Sequence, residues 1–125
     1  MEKNKKLIPG LPTGFEDRWD NKLYLKKKLL TLIEENFIKY GFEPLETPSF
    51  EISENIGSFL ADDESNPMSD VFTFNDGEKN ITLRYDLSSP LARFVAQNNQ
   101  QLPLPYKRYA IQNVFRNEKA GNARY

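Results

Sequence analysis

The sequence predicts an α+β fold, an antiparallel sheet with flanking helices. Apolar residues recur at helical spacing through residues 20–39, which marks an amphipathic helix. Two β-rich runs, Val71-Phe72-Thr73-Phe74 and Ile81-Thr82-Leu83-Arg84-Tyr85, flank the turn residues Asn75-Asp76-Gly77-Glu78, so they read as a hairpin. The order helix, strand, hairpin, helix, strand lacks the βαβ units of a parallel sheet.

Residues 1–18 read as an extended lead-in, punctuated by Pro9, Gly10, Pro12 and Gly14. Asp17 or Asp20 is the expected cap of the first helix. Its apolar stripe is Leu23, Leu29, Leu30, Ile33 and Phe37, widened by Ile38, with lysines opposite. The run Lys26-Lys27-Lys28 is read as a solvated helix face rather than an RNA-binding patch. Gly41 follows Tyr40 where a helix C-cap glycine belongs. Residues 42–48 roughly alternate, but Pro44 and Pro48 confine them to an edge strand or one that ends at Pro48. The acidic stretch 49–70 is expected to hold a short helix near 54–60 and then a mobile loop. Its residues Asp62, Asp63 and Glu64 are read as solubilising, not as a metal site. Ser88-Ser89-Pro90 opens a helix to about residue 98, with serine expected at the N-cap. Residues 102–105, Leu-Pro-Leu-Pro, form a stiff linker, and 106–116 read as a strand. Residues 117–123 look like a hairpin loop, and Arg124-Tyr125 would start a returning strand. A strand without its neighbour exposes unpaired backbone groups, so the chain is expected to be a piece of a larger domain.

Composition narrows the chemistry. The chain has 125 residues, of which 38% are hydrophobic, so any core is thin. Nine Phe and six Tyr are too many for a disordered chain. Seventeen basic and eighteen acidic residues give a net charge of -1, so no global field draws in nucleic acid or an anionic membrane. The chain has no cysteine and no histidine, which excludes disulfides, thiolate sites and imidazole bases. Carboxylates, hydroxyls and Arg/Lys remain. The charged start MEKNKK is followed by prolines rather than an apolar run, and no stretch is long enough to span a bilayer. A cytoplasmic protein is the expectation.

Four stretches, in order, resemble histidyl-tRNA synthetase, a class II aminoacyl-tRNA synthetase. Leu11-Pro12-Thr13-Gly14-Phe15-Glu16-Asp17 is similar to the family's opening Pro-Arg-Gly-x-x-Asp, with Thr13 in place of arginine. The long helix followed by Tyr40-Gly41-Phe42 and Thr47-Pro48 resembles motif 1, the dimer-forming element. Leu83-Arg84-Tyr85-Asp86-Leu87-Ser88-Ser89-Pro90-Leu91-Ala92-Arg93 resembles Leu-Arg-Pro-Glu/Asp-x-Thr-x-x-x-x-Arg, with Tyr85 for proline and Ser88 for threonine. Val114-Phe115-Arg116-Asn117-Glu118, continuing to Arg124, resembles motif 2, Phe-Arg-x-Glu, a loop, then Arg. The resemblance implies a partial class II catalytic fold. Residues 1–125 would be the N-terminal part of the catalytic domain. Motif 1 would cover about 20–50, the amino-acid-binding segment 81–93, and the first half of motif 2 about 106–125. Motif 3, the histidine-specificity segment and the anticodon-binding domain are not in the chain.

The resemblance also implies roles. Arg116 would be catalytic, meeting charge on the ATP α-phosphate with a forked donor pair that never deprotonates. An exposed strand-end arginine in a surface ion pair is the plainer reading. Glu118 would contact the adenine amino group or the tRNA acceptor end, or else pair with Lys119 or Arg124. Arg124 would hold the triphosphate. Asp86 and Ser88 would hold the α-ammonium of the amino acid; both are also favoured helix caps. Arg84 and Arg93 could brace Asp86 or line the site. Leu29, Leu30, Ile33, Phe37 and Pro48 would form the interface of a homodimer. The substrates implied are ATP, L-histidine and tRNA(His). Magnesium would be held by ATP and by carboxylates beyond residue 125, with no metal ligand in this segment. Three alternatives stand beside this reading: the regulatory-subunit paralogue of ATP phosphoribosyltransferase, which does not charge tRNA, another class II synthetase, and a generic α+β interaction domain.

Overall fold

The computed structural model describes residues 7–57 and 71–117. Residues 7–18 carry no helix or strand, and one turn, Phe15 N–H to Pro12 O at 3.1 Å, interrupts them. Helix α1 then spans Asp20–Lys39, the range its periodicity predicts. Its start differs from expectation. Trp19 occupies the N-cap, no side chain bonds the first amides, and neither Asp17 nor Asp20 acts as a cap. Asp20 is already the first helical residue, where its carboxylate faces the positive end of the helix dipole. The other end follows the sequence reading. Phe42 N–H bonds Phe37 O and Gly41 N–H bonds Ile38 O, both at 3.0 Å. These are the two bonds of a Schellman cap, which needs Gly41 at φ 80°.

No residue of α1 is buried. Leu23 and Leu30 are half-buried, while Leu29 keeps 57% of its surface exposed. The last turn is anchored by aromatic packing. Phe37 stacks on Tyr109 at 5.1 Å and meets Phe42 at 5.9 Å.

Three strands form an antiparallel sheet in the order β2 (Phe50–Ile52), β4 (Asn80–Leu83), β3 (Thr73–Asn75). The predicted hairpin is β3–β4, paired Thr73 to Thr82 and Asn75 to Asn80. Its turn is made by side chains. Asn75 Oδ1 accepts the Gly77 N–H, and Asp76 Oδ1 accepts the N–H of both Glu78 and Lys79. Helix α2 (Ser53–Gly57) starts directly after β2, one residue before the expected 54. The expected continuation to residue 60 and the acidic loop lie outside the described residues. Helix α2 packs on β2, β4 and the longer helix α3 (Ser88–Asn98).

Strand β1 (Glu43–Pro44) pairs with β5 (Arg108–Tyr109) in parallel, not antiparallel as the sheet prediction implied. A parallel pair needs a long crossover, and here the hairpin and α3 supply it. The strand predicted over 106–116 is in ladder only at 108–109. Beyond that, side chains supply most of the partners, with one backbone bond from Phe115 N–H to Arg84 O. Gln112 Oε1 accepts the Thr47 N–H at 3.2 Å, and its Nε2 donates to Thr47 O at 2.9 Å. The amide thus makes the two-bond pairing a ladder peptide would make, just before Pro48 removes the next donor.

Among the described residues the buried apolar side chains are few: Ile56, Val71, Tyr109 and the fully buried Pro90. Polar groups share the interior with them. Thr47, Glu51, Thr82 and Arg84 are all buried. Thr82 shares a 2.6 Å hydrogen bond with Ser53. Glu51 takes a bidentate pair from Arg93 on α3, at 2.7 and 2.9 Å.

Candidate active site at the β4–α3 junction

Strand β4 ends at Leu83 and α3 begins at Ser88, so Arg84, Tyr85, Asp86 and Leu87 form the connection. Asp86 is half-buried there. Its Oδ1 accepts the Ser89 N–H at 3.0 Å, and its Oδ2 lies 3.4 Å from Ser89 Oγ. The carboxylate therefore caps α3, and the positive end of the helix dipole stabilises its charge. Ser88 is not the cap, contrary to expectation. It is the first helical residue and is exposed, with Leu87 at the N-cap and no cap bond from that side chain. The Asp86 side chain reaches Ser89 first, which leaves the Ser88 hydroxyl outside the capping arrangement. A carboxylate has about four acceptor sites, so capping leaves Asp86 able to hold an ammonium as well.

Arg84 is 4% exposed and does not brace Asp86. Its Nε donates to Asn113 O at 2.6 Å and its Nη1 to Thr47 O at 2.8 Å. Its backbone continues the same seam, with N–H to Ser49 O and its carbonyl accepting the Phe115 N–H, both at 2.9 Å. Arg93 does not brace Asp86 either, because its guanidinium is engaged with Glu51 and Gln97. In both cases a buried acceptor closer to the guanidinium takes its donors.

The Arg84 seam carries residues 113–117 past the connection. Arg116, exposed, lies with its Cζ over the Tyr85 ring, 4.2 Å from the centroid. Its Nε makes a long 3.4 Å bond to the Tyr85 carbonyl. The fold thus brings Arg116 to the residue beside Asp86, although 31 positions separate Arg116 from Tyr85. Glu118 and Arg124 lie outside the described residues. The interface candidates lie elsewhere: Leu29, Ile33 and Phe37 expose apolar surface on α1, Leu30 is half-buried, and Pro48 is exposed beyond β1.

Sequence reasoning did not foresee the parts played by Tyr85, Thr47 and Gln112. Only Tyr85 left a signal, as the aromatic residue standing where the motif has proline. Among the described residues no group of three or more His, Asp or Glu could hold a metal ion. No described helix is long and apolar enough to cross a membrane.

This junction sets an anionic helix cap next to Tyr85, on which an arginine of the 113–117 segment rests. The family of tRNA synthetases class II core domain (F) matches residues 16–124, and the chain belongs to that family. It is 81% identical to the histidine–tRNA ligase of Pelagibacter ubique, over 100% of this chain and 27% of the relative. It is 44% identical to that of Rhodopseudomonas palustris, over 99% of this chain and 24% of the relative. The crystal structure of histidyl-tRNA synthetase from Nostoc sp. superposes with a TM-score of 0.72 at 28% identity, covering 88% of this chain and 25% of that one. A Bacillus halodurans structure, described as an ATP phosphoribosyltransferase regulatory subunit/histidyl-tRNA synthetase, gives 0.75 at 26% identity, covering 93% of this chain and 31% of that one. The chain spans about a quarter of the length of the curated relatives it matches.

Proposed function

We propose that this chain is the N-terminal part of the catalytic domain of a histidine–tRNA ligase. The whole protein activates L-histidine with ATP to histidyl-adenylate and transfers it to tRNA(His) in the cytoplasm. The observation that carries the reading is the delivery of Arg116 to the Tyr85–Asp86 connection, in a chain so similar to histidine–tRNA ligases throughout. Activation joins the histidine carboxylate to the ATP α-phosphorus and expels pyrophosphate. Asp86 holds the α-ammonium, and the exposed Ser88 hydroxyl stands one step along α3 to share it. Arg116 meets the phosphate oxygens as charge redistributes over them. Glu118 and Arg124 would serve the adenine or acceptor end and the triphosphate. Magnesium would enter with the ATP phosphates and would neutralise part of their charge.

The same reading makes the protein a homodimer through α1. Leu29, Ile33 and Phe37 leave more apolar surface exposed than an isolated helix tolerates, and a second copy of this face would cover it.

The test is ATP–pyrophosphate exchange by the purified whole protein, offered each amino acid singly. Exchange driven by histidine supports the ligase. Exchange driven by another amino acid points to a different class II synthetase. No exchange, with activation of an ATP phosphoribosyltransferase catalytic subunit instead, points to the regulatory paralogue.

A further inference from the structure

We propose that Tyr85 is a positioning residue, the platform that seats the Arg116 guanidinium for phosphate chemistry; the proposal rests on the role assigned above to Arg116. Two contacts from one residue hold the same head group. The ring lies under Cζ at 4.2 Å, and the carbonyl accepts from Nε at 3.4 Å. A ring attracts a cation through the charge distribution of its face. That attraction does not consume the N–H donors a phosphate oxygen would take. The seat is therefore compatible with the work.

The platform is itself fixed from both sides. Arg84 before it is tied by its backbone to Ser49 and Phe115, and by its side chain to Thr47 and Asn113. Asp86 after it is tied to Ser89. Tyr85 is half-buried between them, so its place follows from neighbours held by hydrogen bonds. Arg116 is exposed, and holding a long side chain in one rotamer costs conformational entropy that contacts must offset. Catalysis by a charge donor depends on its being in place before the charge develops. The ring under Arg116 supplies that preorganisation.

The experiment compares Tyr85→Leu and Tyr85→Phe in the whole ligase. Leucine keeps apolar bulk and the backbone carbonyl but removes the ring; phenylalanine keeps the ring face. Tyr85→Leu is expected to lower kcat for histidine-dependent exchange by about 5- to 30-fold, with KM for histidine within about twofold. Tyr85→Phe is expected to recover the rate to within about threefold of the parent. A second measurement does not need turnover. The Arg116 Hε resonance, assigned by its loss in Arg116→Lys, is expected to be shifted upfield by the ring, to lose that shift in Tyr85→Leu, and to keep it in Tyr85→Phe. An unchanged kcat in Tyr85→Leu would overturn the proposal. So would a raised histidine KM with kcat intact, because Tyr85 would then be a substrate contact. If the parent activates another amino acid, the histidine reading fails, and the same comparison with that amino acid decides the platform. If the parent activates none, the ligase reading fails, and the resonance alone decides whether the ring seats Arg116.

Discussion

Removing Arg93 should cost this fold far more than a surface charge normally does, and removing Glu51 with it should recover most of the loss. The pair is bidentate, with Nε to Oε2 at 2.7 Å and Nη2 to Oε1 at 2.9 Å. The Glu51 side chain is 4% exposed and the Arg93 side chain 22%. Breaking a fully buried pair by deleting one partner costs about 3–5 kcal/mol, because the other charge is left without compensation. Water reaches Arg93 and Gln97 shares its guanidinium, so the expectation for Arg93→Met is reduced to about 2–3 kcal/mol. In the double variant Glu51→Leu/Arg93→Met no charge is stranded, and stability should lie within about 1 kcal/mol of the parent. Urea unfolding of the four proteins of the cycle gives the coupling directly. A cost under about 1 kcal/mol for Arg93→Met, or additive losses in the double variant, would refute the claim that this pair locks α3 onto β2.

Arg116→Ala in the whole ligase should lower single-turnover adenylate formation by roughly 10²–10³ while histidine affinity holds, and Asp86→Ala should chiefly raise the histidine KM. Pre-steady-state kinetics with separately measured histidine binding separates the two. Arg84→Met and Gln112→Leu should each cost about 1–3 kcal/mol, but the double variant more than their sum, since both donors to Thr47 O then go. Denaturation midpoints of the set read this out. Ile33→Lys should raise the dimer dissociation constant at least about tenfold by burying an unpaired ammonium, measured by sedimentation velocity. Asp76 has its pKa lowered by the N–H bonds from Lys79 and then Glu78. A depressed folded pKa gives stability that is present above the ordinary value of 3.8 and lost as pH falls through the lowered one. Protection factors of the 75–80 amides, corrected for the intrinsic pH dependence of exchange, should therefore fall on acidification past that range, and Asp76→Asn should abolish the dependence.

Local chemistry was legible in the sequence because it acts over a few residues. The periodicity of α1, the αL requirement at Gly41, the Asn-Asp-Gly turn and the start of α3 at Ser88 all depend on neighbours within one turn. The caps were less legible, since Asp, Ser and their neighbours compete for the same amides. At α3 the carboxylate of Asp86 took the place expected of Ser88. Pairing was legible only where a turn enforced it. The hairpin declared itself, whereas the parallel match of β1 to β5 joins segments with the hairpin and α3 between them. The candidate site was named from motif resemblance, and the structure rests Arg116 on Tyr85, the residue before Asp86. What sequence could not show is which atoms each arginine meets. Arg84, Arg93 and Arg116 are chemically alike, yet one holds backbone carbonyls, one a buried carboxylate and one an aromatic ring.

That division of labour among three arginines follows from how little apolar material the chain has. With few buried hydrophobic side chains among the described residues, segments are joined by directional bonds instead. Thr47 shows the consequence most clearly. Its N–H, carbonyl and hydroxyl all face Gln112, and its carbonyl also takes Arg84. Arg84 in turn grips Asn113, and its own carbonyl receives Phe115, the residue before Arg116. A hydrophobic contact tolerates a sliding of an ångström or so, but a hydrogen bond weakens steeply over the same displacement. Residues 43–48, which follow α1, are therefore tied by directional bonds to the segment that carries Arg116.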